Sequence, residues 1–312
     1  MRALITGGMG FIGSHLAHTL LASGHYVRIL DNLSTGSFRN LEMVESGRNL
    51  DFIQGSVTSE SLAEQAVESC DYIFHLAAQP SVPVSVAQPW ETHEINLNAT
   101  LRLLMLARQS SAKRFVFASS SAIYGDAGQG PVVEESRVSP LSPYGLHKFS
   151  GESYAALFYK LYGLPTVSLR FFNVFGPRQS FSSPYSGVIA KFCTALLSKE
   201  RPKIFGDGLQ SRDFVYVQNV VDALLLAVER PEADVAGRSF NIGMGRSVTL
   251  IDLLAYLQRL ADTNFEPEYF PDRAADIRFS LADISSARNA LGYSPAVDLE
   301  TGLSHTFSFY RG

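Results

Sequence analysis

Short apolar runs alternate with longer stretches of helical spacing throughout the first half of the chain. The apolar runs are RALIT, YVRIL, DFIQG, YIFHLAA, RFVFASS and TVSLRFF, and helical patterns lie at 14–23 and about 143–162. Continuous apolar runs are typical of strands buried on both faces, and such strands alternate with helices in parallel sheets. The pattern therefore predicts an α/β fold with a doubly wound parallel sheet.

The pattern loosens in the second half of the chain. Loops rich in glycine, proline and serine surround a helix predicted near 187–198 and several short strands. The runs SRDFVYV and SFNIG are predicted to return to the sheet. We therefore predict two interleaved domains, a larger sheet domain and a smaller α/β domain, formed by 1–172 plus about 213–243 and by about 173–212 plus 244–312, respectively.

Composition excludes several classes of partner. The 312 residues carry a net charge of −4, with 46% hydrophobic and 18% charged residues, so no basic field attracts nucleic acid or anionic lipid. The two cysteines, Cys70 and Cys193, suit a reduced thiol pair better than a disulfide framework. No 18-residue apolar stretch or signal peptide is visible, so we expect a cytoplasmic protein.

A glycine-rich loop directly follows the first predicted strand. Gly7, Gly10 and Gly13 have the spacing GxxGxxG ahead of a helical pattern, and glycines there let main-chain N–H groups approach a pyrophosphate at a helix N-terminus. Asp31 ends the second strand, where a carboxylate accepts both adenosine ribose hydroxyls and repels a 2′-phosphate. This favours NAD over NADP, although a tight strand–helix turn and a strand-end turn are the alternatives.

Tyr144 and Lys148 begin the long predicted helix, and their spacing of four residues places them on one face. A phenol has a pKa of about 10 in water, and a neighbouring ammonium and a nicotinamide cation favour the phenolate as a base. Ser119, Ser120 and Ser121 end a strand, where open α/β sheets bind ligands. Each pattern alone also fits surface decoration or turn chemistry.

Several motifs together resemble one family. TGGMGFIG, DNLSTG, HLAAQ, SSSAIYG, SPYGLHK, LRFFNVFGPRQ, IFGDGLQSRDFVYV and LGYSP run through the whole chain. They are similar to motifs of the extended short-chain dehydrogenases/reductases, in particular the NAD-dependent nucleotide-sugar epimerase/dehydratase group. Within it, the chain is most similar to UDP-hexose and UDP-N-acetylhexosamine 4-epimerases. The resemblance implies a Rossmann domain for NAD and a smaller nucleotide-sugar domain.

The resemblance implies a redox-neutral reaction. Tyr144 acts as base and acid, Lys148 orients the cofactor ribose and lowers the tyrosine pKa, and Ser120 binds the 4-oxygen of the sugar. Hydride passes from C4 to tightly held NAD⁺ and returns to the other face of the 4-keto sugar.

The implied cofactor site draws on the glycine loop, four strand ends, Asn96 and the catalytic helix. Its residues are Gly7, Gly10, Phe11, Ile12, Gly13, Asp31, Asn32, Ser34, Thr35, Gly36, Ser56, Val57, Leu76, Ala77, Ala78, Gln79, Asn96, Tyr144, Lys148 and Phe172. One departure is visible, because the family commonly has Asp where this chain has Ser56. A serine accepts a weaker hydrogen bond from the adenine amino group, which puts cofactor affinity in doubt.

The implied substrate site binds the diphosphate through Arg212 and Arg273, the uracil through the segment from Lys203 to Phe205, and the uridine ribose through Asp276. Ser280 lies where the 2-substituent of the sugar must fit, and a small residue leaves room for an N-acetyl group. The expected residues are Ser81, Ser120, Ser121, Tyr144, Asn173, Val188, Lys203, Ile204, Phe205, Arg212, Arg273, Asp276 and Ser280. Surface ion pairs are the alternative for each arginine, and no metal site is expected.

Other reactions stay open at this point. Sugar 4,6-dehydratases carry Asp-Glu where this chain has Ser121 and Ala122, which disfavours dehydration, but a UDP-glucuronate epimerase or decarboxylase remains possible. A non-catalytic NAD sensor is the alternative from another class, and dTDP-sugars and the preferred hexose are undecided. The resemblance also implies a homodimer formed by 92–109 and 144–162. Apolar residues there could equally belong to the core; they are Leu97, Leu101, Leu104, Leu157 and Leu161.

Overall fold

The computed structural model describes residues 1–42, 49–110, 112–180, 187–272 and 277–312. Thirteen strands are β1 Arg2–Thr6, β2 Tyr26–Asp31, β3 Leu50–Gln54, β4 Tyr72–His75, β5 Arg114–Ser120, β6 Thr166–Phe171, β7 Asn173–Phe175, β8 Lys203–Phe205, β9 Ser211–Arg212, β10 Phe214–Tyr216, β11 Arg238–Ile242, β12 Val248–Thr249 and β13 Glu268–Phe270 within these ranges. Eleven α-helices in the same ranges are α1 Phe11–Ala22, α2 Glu60–Val67, α3 Val82–Ala87, α4 Pro89–His93, α5 Ala99–Gln109, α6 Pro143–Tyr162, α7 Val188–Leu197, α8 Val217–Glu229, α9 Glu232–Val235, α10 Leu250–Ala261 and α11 Leu299–Arg311.

Seven parallel strands form the central sheet in the order β11-β6-β5-β4-β1-β2-β3. The predicted doubly wound parallel sheet is thereby confirmed. The chain runs outwards from β1 in one direction through β2 and β3 and in the other from β4 onwards. The reversal opens a crevice beyond the carboxyl ends of β1 and β4, which is where such sheets bind ligands.

Helices cover both faces of the sheet. Neighbouring residues of β1 alternate between two core clusters: Ala3 and Ile5 pack in one, and Leu4 packs in the other. The first cluster includes residues of α1 and α8, and the second includes residues of α2, α5 and α6. A third cluster joins α7, α10 and α11 around Phe175 and Tyr216. The sheet is therefore buried on both sides, as its continuous apolar strands require.

The two runs predicted to return to the sheet differ in outcome. SFNIG forms most of β11 and pairs with β6, as expected. The prediction for SRDFVYV is wrong, because it forms β9 and β10, which pair outside the central sheet with β12 and β7. The buried carboxylate of Asp213 explains the diversion, since it accepts hydrogen bonds from three main-chain N–H groups, those of Met244, Gly245 and Ala282.

Two boundaries depart from simple pattern reading. Helix α1 begins at Phe11 rather than at 14, because the glycine loop itself provides the first turn, with Gly10 in extended conformation as its N-cap. The stretch from Ala282 to Tyr293 packs into the first core cluster beside the sheet. The proposed division into two interleaved domains stays a prediction.

Candidate functional site

A cavity of about 400 Å³ lies beyond the carboxyl ends of the central strands. Most residues expected to bind the cofactor line it: Gly7, Gly10, Phe11, Ile12, Gly13, Asp31, Asn32, Ser34, Thr35, Ser56, Val57, Leu76, Ala77, Ala78, Gln79, Tyr144, Lys148 and Phe172. The catalytic candidate Ser120 also lines it. The crossover of the sheet has therefore brought seven separate parts of the sequence to one cavity.

The glycine loop leaves room only for hydrogen at two positions. Gly7 has φ +73°, and a Cβ there would lie 2.9 Å from the main-chain nitrogen of Ala77. A Cβ at Gly13 would overlap the carbonyl oxygen of Gly7. Because no side chain caps the start of α1, its N–H groups are open to a pyrophosphate. This part of the cavity fits the diphosphate of a dinucleotide.

Asp31 is held rigidly at the end of β2. Its two oxygens accept hydrogen bonds from the main-chain nitrogens of Met9, at 2.9 Å, and Leu33, at 2.7 Å. Each carboxylate oxygen has a second lone pair, so Asp31 can still accept ribose hydroxyls. The neighbouring Gly36 does not line the cavity; it packs against Met9. The fixed carboxylate suits NAD, as the sequence indicated.

Asn96 supports the cavity wall from behind. It lies in a π-helical turn, Glu94–Asn98, and its amide exchanges two hydrogen bonds with the main chain of Gln79, at 2.7 and 3.1 Å. Gln79 lines the cavity and Asn96 does not. The structure thus places Asn96 behind Gln79, so that it holds a cavity-lining residue and does not itself line the cavity expected to bind the cofactor.

Helix α6 carries Tyr144 and Lys148 into the same cavity. Its start is well defined, because the Ser142 hydroxyl accepts the N–H of Gly145 and Pro143 occupies the first turn. The Lys148 ammonium donates to the carbonyl oxygen of Ala118 at 2.7 Å and lies 5.9 Å from the Tyr144 ring centroid. The helix therefore presents both residues to the end of β5.

Burial dominates the ionisation of both groups. It lowers the pKa of Lys148 to about 7 and raises the pKa of Tyr144, an effect that the neighbouring Ser120 hydroxyl opposes. Desolvation alone therefore disfavours the phenolate. The lower tyrosine pKa that the family resemblance implies stays a prediction, and it depends on the positive charges of Lys148 and of a bound nicotinamide.

A second cavity of about 400 Å³ adjoins the first, since Val174 lines both. Five of the residues expected to bind the substrate line it: Asn173, Val188, Lys203, Phe205 and Arg212. Ile204 does not, because its side chain is buried in the third core cluster. The Phe205 ring lies 5.4 Å from that of Phe270, so this cavity offers an aromatic face.

Three further candidates, all serines, lie away from both cavities. Ser81 caps α3 by accepting the N–H of Val84, and Ser121 begins the short 3₁₀ turn after β5. The main chain of Ser280 donates to the carbonyl oxygen of Ser211, beside Arg212. None of these three serines lines either cavity. Arg273 and Asp276 lie outside the described residues.

Sequence reasoning missed several lining residues. Gly55, Pro80, Ile95, Ala118 and Ser119 line the first cavity. Phe175, Gln179, Lys191, Phe192, Gln210, Phe214 and Leu250 line the second. Ser119, Gln179 and Gln210 lie inside family motifs, and this position in a motif is the one signal that could have identified them as lining residues. The apolar residues gave none, because core and cavity walls share the same pattern.

His75 is a core histidine whose two ring nitrogens both have hydrogen-bond partners. It lies between the hydroxyls of Thr6, at 2.7 Å, and Thr100, at 2.8 Å.

Within the described ranges, no three His, Cys, Asp or Glu side chains could hold a metal ion. Cys70 and Cys193 are buried free thiols. Across that same part of the chain, every helix is too short or too polar to cross a membrane.

Known proteins resemble this chain over its full length. The model of the NAD dependent epimerase/dehydratase family matches residues 3–243. A UDP-glucose 4-epimerase of Mycolicibacterium smegmatis is 38% identical over 313 residues, covering 100% of this chain and 99% of that protein.

Two solved structures share the fold closely. The UDP-N-acetylglucosamine 4-epimerase of Methanobrevibacter ruminantium, in complex with UDP-N-acetylmuramic acid, has a TM-score of 0.94 at 39% identity and covers 99% of this chain and 97% of that one. The UDP-glucose 4-epimerase of Thermotoga maritima, with UDP-glucose, has a TM-score of 0.93 at 40% identity, with coverage of 100% and 99%.

Proposed function

Because the chain belongs to the NAD-dependent epimerase/dehydratase family, we propose that it interconverts the C4 epimers of a UDP-hexose. One observation carries the proposal: the cavity that holds Ser120, Tyr144 and Lys148 adjoins a second cavity with the basic side chain of Arg212 and the ring of Phe205. A dinucleotide fits the first and a nucleoside diphosphate the second. The sugar of the substrate then lies where the two meet.

The residues of the first cavity divide the chemistry between them. NAD, when bound, supplies the site that accepts and returns a hydride. The Tyr144 oxygen takes the proton of the sugar 4-hydroxyl and later gives it back, and the Ser120 hydroxyl binds the same sugar oxygen. Lys148 holds positive charge beside the phenol and donates to ribose hydroxyls. Within the cavity, the bound ligands exclude water from the keto sugar.

The second cavity supports recognition of a UDP group. The Arg212 guanidinium suits diphosphate oxygens, and Phe205 and Lys203 border the space for the base. Asn173 contributes an amide near the sugar or diphosphate. From the family resemblance, Arg273 and Asp276 complete the diphosphate and ribose contacts. By the same resemblance, Ser280 lies at the position of the sugar 2-substituent, where a small residue leaves room for an N-acetyl group. We therefore propose that both UDP-Glc/UDP-Gal and UDP-GlcNAc/UDP-GalNAc are accepted, although the Ser280 side chain itself lines neither cavity.

Dehydration is the less suitable reaction for this site. Ser121 and Ala122 stand where proton transfer across C5 and C6 needs an acid and a base, and neither side chain supplies one. The Ser120, Tyr144 and Lys148 arrangement is retained, which speaks against a purely NAD-sensing protein. Epimerisation needs only this arrangement.

We also propose a homodimer that works in the cytoplasm. On α6, Leu157 is 46% and Leu161 is 62% exposed, and Leu146 on the same helix is 53% exposed. These leucines fit a helix-pairing interface, whereas Leu104 of α5 is fully buried and belongs to the core. The buried free thiols suit a reducing compartment.

The proposal is tested with purified protein and no added NAD. UDP-glucose and UDP-GlcNAc are supplied separately, and products are identified by NMR. We expect the C4 epimer of at least one substrate to accumulate to equilibrium. Formation of neither epimer would overturn the proposal, and release of a 4-keto-6-deoxy sugar would assign the chain to the dehydratases.

A further inference from the structure

Three buried polar side chains form a cluster directly beneath the catalytic strand end. The Ser119 hydroxyl donates to Oε2 of Glu152 at 2.8 Å. The Arg170 guanidinium contacts the same carboxylate, with Nη2 to Oε1 at 2.6 Å and Nε to Oε2 at 3.0 Å. The three residues are 2%, 5% and 6% exposed. The carboxylate of Glu152 thus lies between the Ser119 hydroxyl and the Arg170 guanidinium, and hydrogen bonds link all three side chains.

The fold brings these residues together from three elements. Ser119 of β5 and Arg170 of β6 are direct partners across the parallel sheet, so their side chains point to the same face. Helix α6 covers that face closely: a Cβ at Gly151 would lie 2.7 Å from Cζ of Phe117. The next residue of the helix, Glu152, therefore reaches down between the two strand partners.

Helix α6 holds β5 at two successive residues. Lys148 donates to the carbonyl oxygen of Ala118, and Glu152, one turn later, accepts from the Ser119 hydroxyl. Ser120 is the next residue of the strand, and it lines the same cavity as Tyr144 at the start of the same helix. A shift of α6 along β5 would thus alter the distance between Tyr144 and Ser120 directly.

The guanidinium fixes the orientation of the carboxylate through its hydrogen bonds. Contact with Glu152 raises the pKa of Arg170. Its remaining nitrogen, Nη1, donates to the Tyr124 hydroxyl at 2.6 Å and to the carbonyl oxygen of Glu134 at 2.7 Å, so Arg170 cannot swing away. A carboxylate fixed in this way is a rigid acceptor for Ser119.

We propose that Glu152, fixed by Arg170, is a positioning residue for catalysis. Through the Ser119 hydroxyl it sets the register between α6 and the end of β5, and hence the distance between the Tyr144 phenol and the Ser120 hydroxyl. The inference rests on the proposed epimerase function. It assigns to the cluster a task beyond stability, because a misplacement of about 1 Å at a reacting group costs roughly 100-fold in rate.

The competing explanation is that the Glu152–Arg170 ion pair contributes only to stability. Two variants distinguish this explanation from a positioning role in catalysis. In Glu152→Leu/Arg170→Met, both charges are replaced by apolar side chains of similar volume, which often leaves stability unchanged. In Ser119→Ala, the ion pair remains and only the hydroxyl link is lost. We expect Ser119→Ala to unfold near the wild-type temperature and the double variant to stay folded at the assay temperature. Both should have a kcat roughly tenfold lower or more, with KM within about twofold.

An optical titration provides a readout independent of turnover. The absorbance of the Tyr144 phenolate is followed against pH as the difference from the Tyr144→Phe protein. Because the Ser120 contact opposes the rise in the Tyr144 pKa, both variants should ionise this tyrosine at higher pH than wild type. An unchanged titration together with wild-type kcat in both variants would overturn the inference.

The Arg28–Asp51 pair of β2 and β3, at 2.7 Å, provides the matched control. Asp51→Asn should lower the unfolding temperature with no change in kcat or in the tyrosine titration. If it reproduces the kinetic effect, the cluster beneath Ser119 acts only through stability. Wild-type turnover in the same assay reports on the proposed function separately, because the inference depends on ratios between variants and on the titration.

Discussion

The Lys148 ammonium is bound to the carbonyl oxygen of Ala118 at 2.7 Å, two residues before the catalytic serine candidate. Burial lowers the pKa of this lysine to about 7, so a lasting positive charge needs hydrogen-bond acceptors around it. The Ala118 carbonyl provides one. The main chain of β5 thereby helps to keep the charge that, by our proposal, favours the Tyr144 phenolate.

Lys148→Met should lower turnover by roughly 100-fold or more, because the phenol loses the charge that favours its ionised form. Steady-state rates on UDP-glucose measure the effect. Lys160→Met is the matched control, since Lys160 is exposed on the same helix, and it should keep the wild-type rate. Equal rates for both variants would show that the ammonium has no part in the reaction.

Tyr144→Phe should abolish epimerisation while NAD remains bound, because the substitution removes one hydroxyl and leaves the glycine loop and Asp31 intact. Rates and the NAD content of the purified protein are both measured. Tyr154→Phe changes a 37% exposed tyrosine of the same helix and should be fully active. Normal turnover of the Tyr144 variant would remove this residue from the mechanism.

Ser280→Tyr should select against N-acetylated sugars. A ring at this position fills the space for the acetamido group, and we expect kcat/KM for UDP-GlcNAc to fall roughly ten- to hundredfold while UDP-glucose is spared. Competition assays with both substrates report the ratio. Ser280→Ala should leave the ratio as in wild type. An equal loss on both substrates would place Ser280 away from the sugar.

Leu161→Glu should disrupt a homodimer. The leucine is 62% exposed on α6, and a carboxylate buried between two copies would have no partner. Analytical ultracentrifugation of both proteins compares the masses. Leu209→Glu, at a 52% exposed leucine outside α5 and α6, should leave the mass unchanged. A monomeric wild-type protein would contradict the dimer proposal.

Acid should weaken the fold through His75. Its folded-state pKa is lowered from 6.5 to about 3 by burial, so the unfolded chain binds a proton first as pH falls. Stability from this group is present above pH 6.5 and is lost between pH 6.5 and about 3, at about 1.4 kcal/mol per pH unit. From pH 7 to 5 the loss is roughly 2 kcal/mol.

Denaturant unfolding of wild type and His75→Gln at several pH values checks this sign. The variant should show a flatter dependence over that range, whatever its stability at pH 7. His305→Gln, at an exposed histidine, should keep the wild-type slope. An identical slope in all three proteins would mean that other groups govern acid unfolding.

Local patterns predicted the parts of the site that depend on neighbours in sequence. The glycine loop and the Tyr144–Lys148 pair could be found because a turn and a helix set their geometry within a few residues. The Ser119–Glu152–Arg170 cluster could not, since it joins residues that only the sheet register brings together. SRDFVYV was misplaced because three amides distant in sequence bind Asp213.

Val174 borders both cavities, so a single apolar side chain forms a common wall between them. A ligand that displaces the Val174 side chain from one cavity would therefore change the volume of the other. The order in which cofactor and substrate bind would then depend on this valine as well as on the charged groups of the two cavities. A larger or smaller side chain at position 174 is expected to change how strongly binding in one cavity affects binding in the other.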